Sequence, residues 1–224
     1  VADTNNNRVQ EFESSGVFVR SWGRGGSGNG EFSSPHGIAV DTDGNIYVTD
    51  HFNFRVQKFS AQGIFLTKWG SPCDLLTGRG CVGEGNGQFN RPDGIAVGAD
   101  GSVYVVDLLN HRIEKFDRTG TFIRKWGSRG SAPGQFDFPT GVAVDAANDV
   151  YVVDGRNSRI QKFRSDGSFV MTWGSSGMEP GELSGPGGIG ISRTGGVYIA
   201  DTGNNRIQKF DVVGTFLTSW GYLE

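Results

Sequence analysis

The sequence predicts an all-β fold made of repeated four-stranded antiparallel sheets, and three observations lead there. Glycine occurs 37 times in 224 residues, more than twice the ~7% usual in globular proteins, so tight turns must be frequent. Leu occurs eight times and Ala ten, too few good helix formers for several helices, whereas the abundant Phe, Trp, Tyr, Val and Ile suit pleated strands. Finally, Trp22, Trp69, Trp126, Trp173 and Trp220 are spaced by 47, 57, 47 and 47 residues, and Asp3, Asp50, Asp107, Asp154 and Asp201 keep the same intervals. A fixed period of that length means stacked modules. With 16 Phe and five Trp the chain is too apolar for a disordered polymer, and its glycines lack collagen's triplet spacing.

The elements follow in order along one unit, residues 30–70. Gly37 to Val40 forms the first strand, Ile46 to Thr49 the second, Arg55 to Phe59 the third and Phe65 to Trp69 the fourth. Asp43-Gly44 and Gly63 supply the hairpin turns, where positive φ is needed. Phe65 and Trp69 are four apart, so strict alternation predicts that they share one face. Carried along the chain, the pattern predicts a single domain over 1–224. A partial unit fills 1–23, and complete units fill 28–70, 71–127, 128–174 and 175–221, with a loop insertion in 71–88.

One such sheet cannot bury both faces, so the modules must stack, and radial stacking of four-stranded units describes a β-propeller of four-stranded antiparallel blades. Pro35-His36-Gly37-Ile38-Ala39-Val40, followed by Asp50-x-x-Asn53-x-Arg55-Val56-Gln57-Lys58-Phe59, resembles the NHL repeat family over nearly the whole chain. That resemblance implies a propeller, usually six-bladed, used as a binding platform for proteins or RNA, and in one branch a metal-dependent amidating lyase. The first 23 residues lack an inner strand. The expected architecture is four complete blades plus a partial fifth, as a five-bladed ring or open arc or as a fragment of a six-bladed parent. Self-association at the incomplete blade is expected from its unpaired edges.

A residue type present in every unit is explained by what every unit shares. The sets Asp50/Asn53/Arg55, Asp107/Asn110/Arg112, Asp154/Asn157/Arg159 and Asp201/Asn204/Arg206 are therefore assigned to the fold, the carboxylate accepting from turn amides and an Arg fork and the Asn favouring the turn conformation. Positions that vary are assigned to function. Just before the first strand stand His36, Asp93, Thr140 and Gly187, at the mouth of the central channel. The loop after the second strand lies on the same face and carries Thr4-Asn5, His51-Phe52, Leu108-Leu109, Gly155-Arg156 and Thr202-Gly203. Phe52, Phe54, Leu108 and Leu109, with His51, His111 and Arg156 nearby, form either an apolar interaction patch or a surface covered by the adjacent insertion.

The insertion carries Cys73 and Cys81, the only cysteines. A disulfide is expected, with a metal pair as its rival, and the disulfide points to an extracytoplasmic compartment while leaving the cytoplasm open. A catalytic zinc expects three protein ligands. Of the Pro-His contexts that the amidating-lyase resemblance implies, only His36 is present, and Asp93 is the one neighbour able to add a carboxylate. Zinc or calcium at His36 and Asp93 is thus the sole cofactor expectation, beside that of no cofactor. Two Gly-x-Gly-x-x-Gly matches open no helix, and no nucleophile motif occurs, so a nucleophilic enzyme has no support. A net charge of −3 argues against DNA and RNA, and no apolar run reaches the ~20 residues that cross a bilayer. The leading expectation is a non-catalytic module that binds a protein, peptide or small ligand. A metal-dependent lyase or hydrolase comes next, and RNA binding last.

Overall fold

Short strands, most of five or six residues, pair with their immediate successors. The computed structural model, which describes residues 1–70 and 83–221, contains five such meanders. Sheet I holds β1 (Ala2–Asp3), β2 (Arg8–Phe12) and β3 (Phe18–Trp22). Sheet II holds β4 (Pro35–Val40), β5 (Ile46–Asp50), β6 (Arg55–Phe59) and β7 (Phe65–Gly70). Sheet III holds β8 (Pro92–Val97), β9 (Val103–Asp107), β10 (Arg112–Phe116) and β11 (Phe122–Trp126). Sheet IV holds β12 (Pro139–Val144), β13 (Val150–Asp154), β14 (Arg159–Phe163) and β15 (Phe169–Trp173). Sheet V holds β16 (Ile189–Ile191), β17 (Val197–Asp201), β18 (Arg206–Phe210) and β19 (Phe216–Trp220). The six-bladed expectation is corrected: the described residues form five sheets, four of four strands and a first of three. In the first sheet β1 pairs with β2 alone, so the described residues hold no inner strand for it.

The first strands lie against one another, β4 beside β8, β8 beside β12 and β12 beside β16, which places them innermost as in a propeller. Apolar side chains fill the gaps between sheets. Tyr47, Val56 and Trp69 of sheet II, for example, pack on Ile95, Val105 and Phe116 of sheet III. Phe65 and Trp69 do not share a face, contrary to the alternation rule. Phe65 packs with Phe59 and Trp22 toward sheet I, whereas Trp69 packs toward sheet III, 5.8 Å from Phe116. The register slips between Lys58, paired with Thr67, and Phe59, paired with Phe65. The extra residue is a β-bulge, and it inverts the side on which later residues point.

In sheets II to V the second strand ends in a buried Asp that ties the sheet to the loop arriving from its predecessor. Asp50 Oδ1 accepts the Ser33 amide at 2.7 Å, and Oδ2 accepts Arg55 Nε at 2.7 Å and Gln57 Nε2 at 3.1 Å. Asn53 Nδ2 bridges this carboxylate and the Gly26 carbonyl. Arg55 also donates to the carbonyls of Ser27, Gly28 and Glu31. Asp154 and Asp201 collect the same partners in sheets IV and V.

The asparagines add side-chain bridges to their place in the turn. Asn110 Nδ2 donates to Asp107 Oδ2 and to the Gly83 carbonyl, both at 2.8 Å. Asn204 Nδ2 donates to Asp201 Oδ2 and to the Gly177 carbonyl, both at 2.9 Å. Each closes a short 3₁₀ turn, Leu108–Asn110 and Thr202–Asn204, and the left-handed conformation falls on the residue after it, His111 at φ 52 and Asn205 at φ 50. Asn110 and Asn204 thus stand in the turn, and their side chains also tie it to the arriving loop. A side-chain amide that binds a carboxylate and a carbonyl together is what the position selects. Asn110, Asn157 and Asn204 are half-buried where Asn53 is buried.

The indoles interlock the sheets. Trp22, Trp69, Trp126 and Trp173 each cover a turn glycine of the next sheet: Gly63, Gly120, Gly167 and Gly214. At the two ends this knob and its socket are uncovered: Trp220 is 45% exposed, and a Cβ at Gly16 would meet open space. Gly120 has φ +90, and a Cβ there would lie 2.5 Å from the Trp69 ring. Gly120→Ala is expected to cost roughly 2 kcal/mol or more, combining left-handed strain with overpacking. Gly16→Ala, at a similar φ of +86 with no indole above it, isolates the backbone part. Urea unfolding of both variants checks this, with Gly120→Ala the more destabilised.

Candidate functional site

Every inner strand is entered through a Pro-x-Gly turn whose middle residue differs from sheet to sheet. The residue before each Pro has positive φ, namely Ser34, Arg91, Phe138 and Gly185. The register shift just after the Pro at β4, β8 and β12 frees the middle residue from the ladder. As a result His36, Asp93, Thr140 and Gly187 surround one cavity of about 420 Å³, with Thr4 from sheet I completing its wall. Glycine backbone makes up much of the remainder, including Gly37, Gly94, Gly141 and Gly188. The repeated Asp, Asn and Arg sets, Asn110 and Asn204 among them, do not line it.

Thr49 fixes the geometry from below, accepting the Gly37 amide at 2.7 Å and donating to the Asp93 carbonyl at 2.6 Å. Within the cavity His36 Nδ1 lies 3.0 Å from Asp93 Oδ1. The hydrogen bond to Asp93 holds the His36 imidazole above its ordinary 6.5. His51 lies behind it, the two rings stacked at 4.4 Å with 16° between planes. His51 is buried, and its Nδ1 is 3.2 Å from the Pro92 carbonyl, so Nδ1 carries the proton. Burial, with the charge of His36 second, lowers its pKa. Phe52 meets His51 edge-on at 4.9 Å, and the Arg91 guanidinium sits 5.2 Å over Phe52. A ladder of π faces thus runs outward from the cavity to an exposed Phe52 and an exposed Arg91.

The other expected residues lie outside the cavity. Leu108 and Leu109 are half-buried, their amides bonded to the carbonyls of Arg91 and Asn90. Phe54 is half-buried in a left-handed turn with φ +53. His111 is buried and accepts the Phe138 amide on Nδ1 at 3.1 Å, so its role is to hold a turn; burial lowers its pKa. Arg156 is exposed and stacks 3.8 Å over Phe138. Cys73, Cys81 and the part of the insertion in 71–82 lie outside the described residues. Arg91 and Phe138 join this face without having been singled out from sequence. The variable position before each Pro was the available signal for both.

A metal at this point can be tested against the side chains. His36, His51 and Asp93 offer donor atoms that lie up to 4.8 Å apart, whereas tetrahedral bonds of about 2.1 Å need donors roughly 3.4 Å apart. An imidazole binds an ion in its own plane, and two nearly parallel planes do not converge on one point. Both Nδ1 atoms are also engaged, by Asp93 and by the Pro92 carbonyl. As arranged, these residues do not fit a catalytic zinc, and Thr140 and Gly187 add no nitrogen.

The fold and this face can be set beside known proteins. A family model described as NHL repeat matches residues 32–59, 89–116, 136–163 and 183–210. Peptidylglycine alpha-amidating monooxygenase of Rattus norvegicus is 36% identical over 104 residues, 45% of this chain and 10% of that protein. Protein brain tumor of Drosophila melanogaster is 46% identical over 44 residues, 20% of this chain and 4% of that protein. The chain thus spans a small fraction of these relatives. Among solved structures, a gluconolactonase from Xanthomonas campestris superposes with TM-score 0.69 at 17% identity, covering 98% of this chain and 70% of that one. A virginiamycin B lyase from Staphylococcus aureus gives 0.67 at 16% identity, covering 97% and 64%. Likeness at such identities is likeness of fold alone.

The histidines should titrate in a defined order, His36 above 6.5 and His51 and His111 below it. Asp93→Asn is expected to lower the His36 midpoint, because the group that favours imidazolium loses its charge. Imidazole proton NMR across pH measures all three.

Proposed function

The chain belongs to the NHL repeat family, and on that premise we propose that it is a non-catalytic binding module whose ligand, a protein, peptide or small molecule, enters the channel mouth and rests on the adjoining loop face. The observation that carries this reading is the division of labour among polar groups. The recurring Asp, Asn and Arg are consumed in holding loops, while the non-repeating His36, Asp93 and Thr140 open into one cavity. Phe52 and Arg91 extend that opening with an apolar face and a cation, the combination that anchors many interfaces.

Metal-dependent lyase or hydrolase chemistry is the weaker reading. The His36, His51 and Asp93 cluster and the partial similarity to an amidating monooxygenase favour it, and the stacked rings oppose it. RNA binding has less support still, because Lys58, Lys115, Lys162 and Lys209 each lie over a tyrosine ring of their own sheet.

Panning a displayed peptide library against the protein tests the proposal. Captured peptides should bind about tenfold or more weakly to Asp93→Ala, the effect of losing a hydrogen bond to a charged group, and be unaffected by Lys68→Ala on the outer strand β7. Binders indifferent to both Asp93→Ala and Arg91→Ala would overturn the site. Stoichiometric zinc in the purified protein, lost in His36→Ala, would instead favour the lyase.

A further inference from the structure

Five repeats in one chain allow one sheet to be compared with the others, and sheet III departs from them at one buried, charged position. In the middle of the strand that follows the Asp turn, sheets I, II, IV and V carry Gln10, Gln57, Gln161 and Gln208, whereas sheet III carries Glu114. The glutamines of sheets II, IV and V act alike. Oε1 accepts the amide of Gly30, Gly134 or Gly181. Nε2 donates twice, to the carbonyl of Glu31, Gln135 or Glu182 and to the carboxylate of Asp50, Asp154 or Asp201.

Glu114 fills the same place and is fully buried. Its Oε2 accepts the Gly87 amide at 2.9 Å, as the glutamine Oε1 does in those sheets. Its Oε1 stands where they put a donating nitrogen, and it receives no hydrogen bond. Arg112 Nη2 approaches Oε1 to 2.5 Å, yet donates to the carbonyls of Gly85 and Gln88. In the other sheets the atom at this place donates to the carbonyl and the carboxylate equivalent to those of Gln88 and Asp107, a role that an unprotonated Oε1, with Arg112 as its charged neighbour, does not fill. A proton on Oε1 turns it into the donor that the site requires.

We propose that Glu114 is a buried proton-binding site, a neutral acid whose Oε1 hydroxyl replaces the glutamine amide, and that its ionisation loosens the 83–89 segment, where the insertion rejoins the repeat. The charged groups around it are Asp107 and Arg112 on its own sheet and Lys125, its cross-strand partner on β11. The 83–89 segment presents the Gly87 amide to it, and the Glu84 carbonyl of that segment receives both Arg112 and Lys125. Burial pushes Glu114 up to about 7 and Asp107 to about 6, with Arg112 acting against it at both. A raised carboxyl pKa means that the folded state holds the extra proton. This contribution to stability is complete below the ordinary 4.5 and is lost as pH rises through about 7.

The experiment compares wild type with Glu114→Gln, which restores the residue that the other sheets use. Across that window the wild-type unfolding equilibrium should shift toward unfolded by up to about tenfold per pH unit relative to the variant, the slope of one bound proton. Hydrogen exchange at 83–89 should accelerate over the same range in the wild type alone. Gln161→Glu should import the same dependence into sheet IV; if that variant does not fold, the Glu114→Gln comparison decides. Infrared spectroscopy should show, just below the upper limit of the window, a protonated-carboxyl band that Glu114→Gln removes. Parallel pH profiles for wild type and Glu114→Gln, or no such band, would overturn the proposal.

Discussion

The buried carboxylate that ends the second strand in sheets II to V is the constraint on which the rest of the molecule depends. Asp50 is fully buried, and a carboxylate so placed is tolerable only when every lone pair finds a donor. Its donors come from three places: the arriving loop through Ser33, the tight turn through Asn53, and the third strand through Arg55 and Gln57. Because Arg55 reaches on to Ser27, Gly28 and Glu31, one charged centre ties a sheet to the connection from the sheet before it. That connection sets where the inner strand begins, and so where its Pro-x-Gly turn points.

A rigid repeated clasp leaves the residues it presents free to differ. The middle position of the Pro-x-Gly turn bonds to nothing that every sheet needs, so it holds His, Asp, Thr and Gly in succession, and all four face the same cavity. The clasp is not equally tolerant. Exchanging its glutamine for Glu114 swaps a donor for an acceptor in a fully buried place, and the consequence is a changed protonation state rather than a changed fold. Variation at an exposed turn alters what the surface can bind, whereas variation inside the clasp alters the conditions under which the surface holds its shape.

Much of the architecture was legible because its signals are local. Glycine turns, the 47-residue period and the sets such as Asp154, Asn157 and Arg159 read directly as meandering sheets with a common closure. The means of closure was less legible: Asn110 and Asn204 reach back 27 positions to a carbonyl of the arriving loop, a contact that turn preference does not reveal. Face assignment was less secure too, since period-two counting from Phe65 to Trp69 ignores a bulge that leaves no compositional mark. The channel-mouth set of His36, Asp93, Thr140 and Gly187 was readable once strand directions were known. The π ladder from His36 through His51 and Phe52 to Arg91 was not, because Arg91 belongs to the following sheet and 39 positions separate it from Phe52.

Sequence alone determined that this chain forms repeated antiparallel sheets and which residues serve every sheet in common, because propensity, turn chemistry and periodicity act over a few positions and need no knowledge of the whole. Tertiary structure decided which face Trp69 covers, how His36 and His51 stack, and which donors Glu114 lacks. Those outcomes depend on packing and hydrogen bonding between segments far apart in the chain, where a single bulge or one exchanged atom changes the partner that a side chain meets.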